Sequence, residues 1–438
     1  MSTDRPAPVR LLDVDLFAPP DLTGTDDVEE ASRILVRVHD VPIAFVRLPI
    51  PPGGLSGADL RSRLEAAVGP ELADHLAQDA AGDRTAGNGR PFCQAEAIRL
   101  TESGPPVTVV IPTKDRPDQV AACVDSVRAT GYRHLQILVV DNGSSSDATT
   151  RRIKERFGDR SDVRCLSMAR PGTSRARNRG LAEASTEIVL FSDDDVSVDP
   201  LWIVAAVSAF EGNPDVAAVT GPILPTELAT PAQVWIEEFG GFNKGFRRQV
   251  FELDHPPDRA VLFPYAAGSF GSGANMAFRR QALLSGGGFD VALGGGTPAR
   301  GGEDLAAFVE VILRGGSLAY EPAMLVRHHH HRSYQRLKSV VLGYGIGLGA
   351  YLTKIAVDHP ERLPGIVGRL PAGFRFLLDE GSPKNVGKST TYPRRLSSLE
   401  RIGLALGPLA YARGRWQMRS EAGPARVGDS SKSTTEAG

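Results

Sequence analysis

The chain has 438 residues, a formal net charge of −2, 41% apolar residues and 23% charged residues. At roughly 150 residues per domain this predicts two or three folded units, and it excludes both a disordered chain and a generally basic nucleic-acid binder. Cys93, Cys123 and Cys165 show no CxxC spacing, so neither a disulfide framework nor a cysteine-based zinc site is expected, and a reducing cytoplasm is the natural setting.

The charge is split along the chain. Residues 1–100 carry 10 Lys and Arg against 16 Asp and Glu, whereas residues 381–438 carry 10 against 4. No apolar h-region follows the N-terminus, so no signal peptide is expected. LLDVDL (11–16) reads as a strand, and residues 34–50 read as two more, folding at His39–Pro42 into a hairpin. A helix through LRSRLEAAV has Ser56 or Asp59 as its cap, and ELADHLAQD continues as a second. The Gly, Asp and Arg stretch from Ala81 to Arg90 marks a linker. Residues 1–90 therefore read as a small α+β module without evident chemistry, its acidic residues forming a solvated face or a docking surface.

From Val107 the texture changes to β-branched runs alternating with amphipathic segments. Strands are expected over 107–112, 135–141, 163–166 and 187–195, with helices over 119–130, 147–157 and 173–184. That alternation predicts a parallel sheet covered on both faces, with ligands at the carboxyl ends of its strands.

The polar clusters fall at those ends. Ser192-Asp193-Asp194-Asp195 follows the buried run EIVLF, where adjacent carboxylates repel unless a cation neutralises them. In an extended backbone Asp193 and Asp195 share a side while Asp194 points elsewhere. Two such carboxylates and a diphosphate make a usual setting for Mn²⁺ or Mg²⁺; the plainer alternative is a solvated turn. PGTSRARNRG (171–180) opens a helix whose amides favour anions, with Arg177 and Asn178 one turn in, facing a diphosphate or the carboxylates. The first strand ends in PTKDRP, and the second in Asp141, suited to a ribose or base edge. Neither GxGxxG nor GxxxxGK[ST] occurs there, which argues against NAD and a P-loop kinase.

Taken together, VVIPTKDRP, VVDNGSSSD, GTSRARNRG, FSDDDV, GSGANMAFRR (271–280) and GGEDLAAFVEVILRGG (301–316) resemble family 2 of the inverting glycosyltransferases, over roughly residues 105–355. The resemblance implies a GT-A type, Rossmann-like, mostly parallel α/β sheet and transfer of one sugar from a nucleotide-diphosphate donor to an acceptor hydroxyl. It places Pro112, Thr113 and Arg116 along the nucleotide, Asp141 on the base or ribose, and Arg170 and Arg177 near the ribose and diphosphate. Asp193 would face the nucleotide sugar, with Asp194 beside it in the substrate-binding set, and Asp195 would be the main ligand of the DxD-like metal site. Gly273, Ala274 and Asn275 would wall the sugar and acceptor. Asp304 matches the general base, Glu303 would orient the acceptor, and both should ride a mobile glycine-rich lid. Of the run His328–His331, His329 or His331 is expected to reach the metal.

Past the sheet, Arg415-Trp416 lacks the preceding glutamine of QxxRW, which favours single-sugar transfer over processive synthesis. Ser339–Thr353 is uncharged but short, so a spanning helix is not expected. Residues 356–426 read as a helical, basic extension. Its segment 393–419 suits peripheral contact with an anionic membrane at the cytoplasmic face or, alternatively, packing onto the sheet domain. Residues 427–438 read as a disordered tail. The implied role is cell-surface glycan or secondary-metabolite glycosylation in a bacterium, with a glycan, lipid-linked or small-molecule acceptor. Two rivals remain. A sugar-1-phosphate nucleotidyltransferase would need a GGxGxR loop, and a non-catalytic nucleotide-sugar scaffold would be expected to lack Asp195 or Asp304.

Overall fold

Alternating apolar residues make a three-stranded sheet of the first part of the chain: β1 (Arg10–Asp15), β2 (Ser32–Val38) and β3 (Val41–Arg47), with β1 parallel and β3 antiparallel to β2. In this computed structural model residues 6–24, 31–81, 90–240, 242–258 and 260–422 are described, so most of the expected linker and the whole tail 427–438 lie outside the described residues. The hairpin turns at His39 and Asp40, both at positive φ (54° and 70°). Helix α1 (Gly57–Ala67) starts at Ser56, whose hydroxyl accepts the Asp59 amide. Its Leu60 and Leu64 pack with Val36, Val38 and Ile43 into a core of their own. Helices α2 (Gly69–Ala81) and α3 (Phe92–Ser103) follow. His39, His75, Asp79 and Cys93 converge here, although no sequence spacing announced it. Their ligands come from three separate elements, which spacing along one segment does not register.

Next come β4 (Val107–Thr113), α4 (Pro117–Ala129), β5 (Leu135–Asn142), α5 (Ala148–Phe157), β6 (Val163–Met168), α6 (Thr173–Glu183), β7 (Ile188–Ser192) and β8 (Val196–Val198). Then follow α7 (Trp202–Gly212), β9 (Val216–Thr220), β10 (Ile223–Pro225), α8 (Pro231–Gly240), β11 (Gln249–Phe251), β12 (Asn275–Arg279), α9 (Arg280–Ser285), α10 (Glu303–Leu313), β13 (Ser317–Tyr320) and β14 (Val326–His328). Eight of these strands form one sheet in the order β11-β13-β9-β12-β7-β4-β5-β6. Pairs β4–β5, β5–β6, β4–β7 and β9–β13 are parallel, while β12 runs antiparallel between β7 and β9. β4 is buried along its whole length, as a strand covered on both faces must be. The chain winds outward from β4 to β5 and β6, then returns to β7 on the other side. That reversal opens a crevice at the carboxyl ends of β4 and β7, the usual ligand position in such sheets. This is the mostly parallel α/β sheet that was expected.

A second small sheet, β10-β14-β8, stands over the crevice, with β14 antiparallel to β8 so that His328 pairs with Val196. The N-terminal sheet rests against it: Leu35 packs with Leu224 and Leu325, Arg37 pairs with Asp13 and Asp199, and Asp13 also takes Arg327 at 2.6 Å.

The carboxyl-terminal helices are α11 (Tyr334–Asp358), α12 (Leu363–Leu378) and α13 (Arg394–Ala422). Helix α11 is longer than Ser339–Thr353 suggested, and by length and composition it is long and apolar enough to cross a membrane, yet half of its most apolar window is buried inside the protein. Its alternating glycines explain both properties. Gly345 and Gly349 face α13, where a Cβ would collide with the carbonyls of Glu400 and Leu404. Gly347 faces the loop before α10, where a Cβ would stand 2.9 Å from the Gly301 carbonyl carbon. One helix thus holds the terminal helix on one side and the Glu303-Asp304 loop on the other.

Candidate active site

Arg177 organises the crevice. It lies one turn into α6 and is 2% exposed, so its charge must be met inside the protein. One guanidinium nitrogen donates to Glu303 Oε1 at 2.8 Å; the other donates to Asp193 Oδ1 and to the Gly273 carbonyl, each at 3.0 Å. The group also sits over the Phe289 ring, 5.6 Å from its centroid. A single cation therefore joins the ends of β7 and α10 to the turn before β12.

The three aspartates part company as the backbone turns. Asp193 faces Arg177. Asp194 is buried and accepts from Thr113 Oγ1 at 2.7 Å and from Arg116 at 2.8 Å. Asp195 takes the same Arg116 nitrogen at 3.0 Å and lies 3.3 Å from His328 Nε2. Their acidities diverge accordingly. Removal from water pushes Asp193 and Asp194 up, with Arg177 opposing at the first and Thr113 and Arg116 at the second. Asp195 is also desolvated, but His328 and Arg116 prevail and hold it down to about 2. Burial alone would lower His328, yet the facing Asp195 carboxylate raises it. His328 thus stands with Asp195 on one side of the turn, while Asp193 is held on the Arg177 side.

Across the crevice α10 begins at Gly302, whose φ of 87° needs glycine. Glu303 is buried behind Arg177, and burial pushes its carboxyl up to about 7 despite that ion pair, with Asp304 adding repulsion. Asp304 is only half-buried; its Oδ2 accepts the Gly273 amide at 2.7 Å. Pro112, Thr113, Arg116, Arg177, Asp193–Asp195, Gly273, Ala274, Glu303 and Asp304 all line one cavity of ≈ 2870 Å³.

Several expected residues are placed otherwise. His329 is exposed and turned to Thr226 Oγ1 at 3.0 Å, and His331 is exposed as well. The histidine beside Asp195 is His328, because it is the residue paired with Val196, next to Asp195. Asn275 is fully buried and spends its amide on Trp202 Nε1, Pro222 O and Met324 O, so it holds β12 rather than walling a sugar. Asn178 binds both the amide and the carbonyl of Phe289, at 2.9 and 2.7 Å. Asp141 lies under the turn it caps, accepting the Ser144 amide at 3.1 Å; neither it nor the exposed Arg170 lines the cavity. The start of α6 is likewise in use, since the Thr173 amide donates to Gly295 O at 3.0 Å. The same contact, with Ser174 Oγ on Leu293 O at 2.9 Å, fastens the glycine-rich loop that was expected to act as a mobile lid.

A feature no motif announced is the outer face of α12. Leu363, Val367, Leu370, Phe374 and Leu378 form one stripe at helical spacing, each about half exposed, and the last three also line the cavity. The spacing of 4, 3, 4 and 4 residues was there to be read.

Residues 108–285 match the family described as glycosyl transferase family 2. A glucosyl-dolichyl phosphate glucuronosyltransferase of Haloferax volcanii is 30% identical over 43% of this chain and 57% of its own length. A pre-mycofactocin glycosyltransferase of Mycobacterium tuberculosis is 30% identical over 60% of this chain and 50% of its own. The chain thus spans little more than half the length of these curated relatives. Among solved structures, the mannosyltransferase PcManGT from Pyrobaculum calidifontis in complex with GDP-Man and Mn²⁺ aligns with a TM-score of 0.45, at 18% identity over 73% of this chain and 80% of its own.

Proposed function

The chain carries a glycosyltransferase family 2 domain, and on that premise we propose that it moves a single sugar, with inversion, from a nucleotide-diphosphate donor to an acceptor hydroxyl. The observation that carries this reading is the meeting of Asp304 with the Asp193–Asp195 turn around one buried arginine, in a cavity at the carboxyl ends of β4 and β7. Asp304 is the general base. Its Oδ2 is held by the Gly273 amide, and it takes the proton of the attacking hydroxyl. Glu303 acts through Arg177: their ion pair fixes the guanidinium, which in turn sets Asp193. Thr113 and Arg116 hold Asp194 and so fix the turn to the end of β4. A Mn²⁺ or Mg²⁺ would be held by Asp195 and Asp193 with His328 beside them, where it supplies positive charge to the leaving diphosphate.

The acceptor in this reading bears a long apolar chain. The exposed stripe of α12 runs into the same cavity, with Arg369 and Arg375 on the same helix and Arg362 just before it, a pattern that suits an anionic lipid surface. The relative named for a dolichyl phosphate substrate agrees with that class. Residues 105–355 would form the catalytic unit, residues 1–90 an accessory module and residues 356–426 the membrane-facing extension of an enzyme that works at the inner face of a membrane in this reading.

The test is release of nucleoside diphosphate from UDP-, GDP- and dTDP-sugars with Mn²⁺ or Mg²⁺, with and without polyprenyl phosphate vesicles. Wild type should release nucleoside diphosphate from one donor and Asp304→Asn should not. Pyrophosphate as the product would favour a nucleotidyltransferase, and equal behaviour of the two proteins would remove the enzyme reading.

A further inference from the structure

The unassigned chemistry lies in the N-terminal module. His39 comes from the β2–β3 turn, His75 and Asp79 from successive turns of α2, and Cys93 from the first turn of α3. Their ligand atoms all lie within 4.8 Å of one another. Asp79 Oδ2 is the hub, 2.7 Å from His39 Nδ1, 3.4 Å from His75 Nε2 and 3.4 Å from Cys93 Sγ, while Cys93 Sγ lies 3.9 Å from His75 Nε2. Four ligands at tetrahedral zinc bond lengths stand about 3.3–3.8 Å apart. Three of the four distances are near that spacing; the fourth is a hydrogen bond that an ion would open. We propose that His39, His75, Asp79 and Cys93 form a structural zinc site that fastens the β2–β3 hairpin and α2 to α3, the helix leading into β4.

The surroundings point the same way. Asp79 keeps its other oxygen, Oδ1, on the Cys93 amide at 2.8 Å, the outer contact that aims a ligating carboxylate. The two-residue turn holds His39 and Asp40 at positive φ, which fixes where the His39 side chain leaves the hairpin. Asp40 is itself tied to Gln94, beside Cys93, at 3.0 Å. Nitrogen and sulfur donors select zinc over the hard cations suited to the Asp193–Asp195 turn. Binding takes Cys93 as thiolate, its proton passing to solvent, and both imidazoles neutral.

The experiment uses the full chain, purified without a metal-affinity tag and dialysed. Elemental analysis should find about one zinc per chain in wild type and in Asp195→Ala, and a loss of most of it in Cys93→Ser and His75→Ala. Cobalt loading should give a sulfur-to-metal charge-transfer band, absent from Cys93→Ser. Should those variants fail to fold, wild type still decides: chelator should unmask Cys93 to alkylation, located by peptide mass, and zinc should protect it again. Zinc content equal in wild type and Cys93→Ser, or Cys93 alkylated at the same rate with and without chelator, would overturn the proposal. Because neither readout involves sugar transfer, their failure leaves the glycosyltransferase reading standing, and the converse holds.

Discussion

Arg177 and Asp79 each sit at the centre of a charged cluster, and the two clusters are built on opposite plans. The crevice brings Asp193, Glu303 and the Gly273 carbonyl around a permanent guanidinium, so its carboxylates stay in place whatever else enters. The module brings two imidazoles and a thiol around one carboxylate. In the first, positive charge is built into the chain, so Asp193 and Glu303 are paired without any ion. In the second, the group that would neutralise Asp79 and Cys93 together is the ion itself. The difference is between a cluster that carries its own counter-charge and one that, under the zinc proposal, would borrow it.

Asp304→Asn tests the crevice most severely. It keeps the side chain's size and its position at the Gly273 amide but removes the base, so kcat should fall about 10²–10⁴-fold. Zinc content should not change. Single-turnover transfer measures the first; a fall of less than tenfold would take the base role from Asp304. Arg177→Ala is next. It leaves Asp193 and the buried Glu303 without their partner, and removing one member of a buried ion pair costs about 3–5 kcal/mol. Urea unfolding checks this, and a cost below about 1 kcal/mol would show that the cluster does not depend on its guanidinium.

These two residues also mark how far the sequence could be read. Six short motifs in order located the sheet, the crevice and the three residues that accept hydrogen bonds from Arg177, though not Phe289 beneath it. Their order along the chain carries that information because each motif ends a strand or begins a helix. The sequence misled where parity or partner decides. Four consecutive histidines look alike until the pairing of His328 with Val196 selects one. Asn178 and Asn275 are polar residues inside functional motifs, yet both satisfy buried backbone groups, and nothing in their own sequence context tells the two uses apart. The cluster at Asp79 was invisible for a related reason: three elements must fold before its ligands become neighbours.

Two carboxylates of the crevice should report on it through pH in opposite ways. Glu303 binds its proton more tightly in the folded chain, at about 7 against an ordinary 4.5. Its contribution to stability is therefore fully present below about 4.5 and lost as the pH rises through about 7. Asp195 is held to about 2 against 3.8, so its contribution is present above 3.8 and lost as the pH falls through about 2. In metal-free protein Glu303→Gln should flatten the decline in stability between about 4.5 and 7, and Asp195→Asn should flatten the acid limb alone. Urea midpoints across pH measure both. An unchanged slope in Glu303→Gln would mean that the carboxyl titrates normally behind Arg177.

The smallest effect is expected from a change that weakens the module without touching its cluster. The Ser56 hydroxyl caps α1 by accepting the Asp59 amide at 3.1 Å, and α1 contributes Leu60 and Leu64 to the module's core. Ser56→Ala should therefore cost about 1 kcal/mol, the usual value of a lost N-cap. His39, His75, Asp79 and Cys93 belong to other elements, so zinc content and the cobalt charge-transfer band should both survive. Measured beside Cys93→Ser, this variant separates two ways of loosening the same module. If zinc falls in Ser56→Ala as far as it does in Cys93→Ser, metal retention follows the module's general stability and not the four ligands, and the contrast between the two clusters collapses.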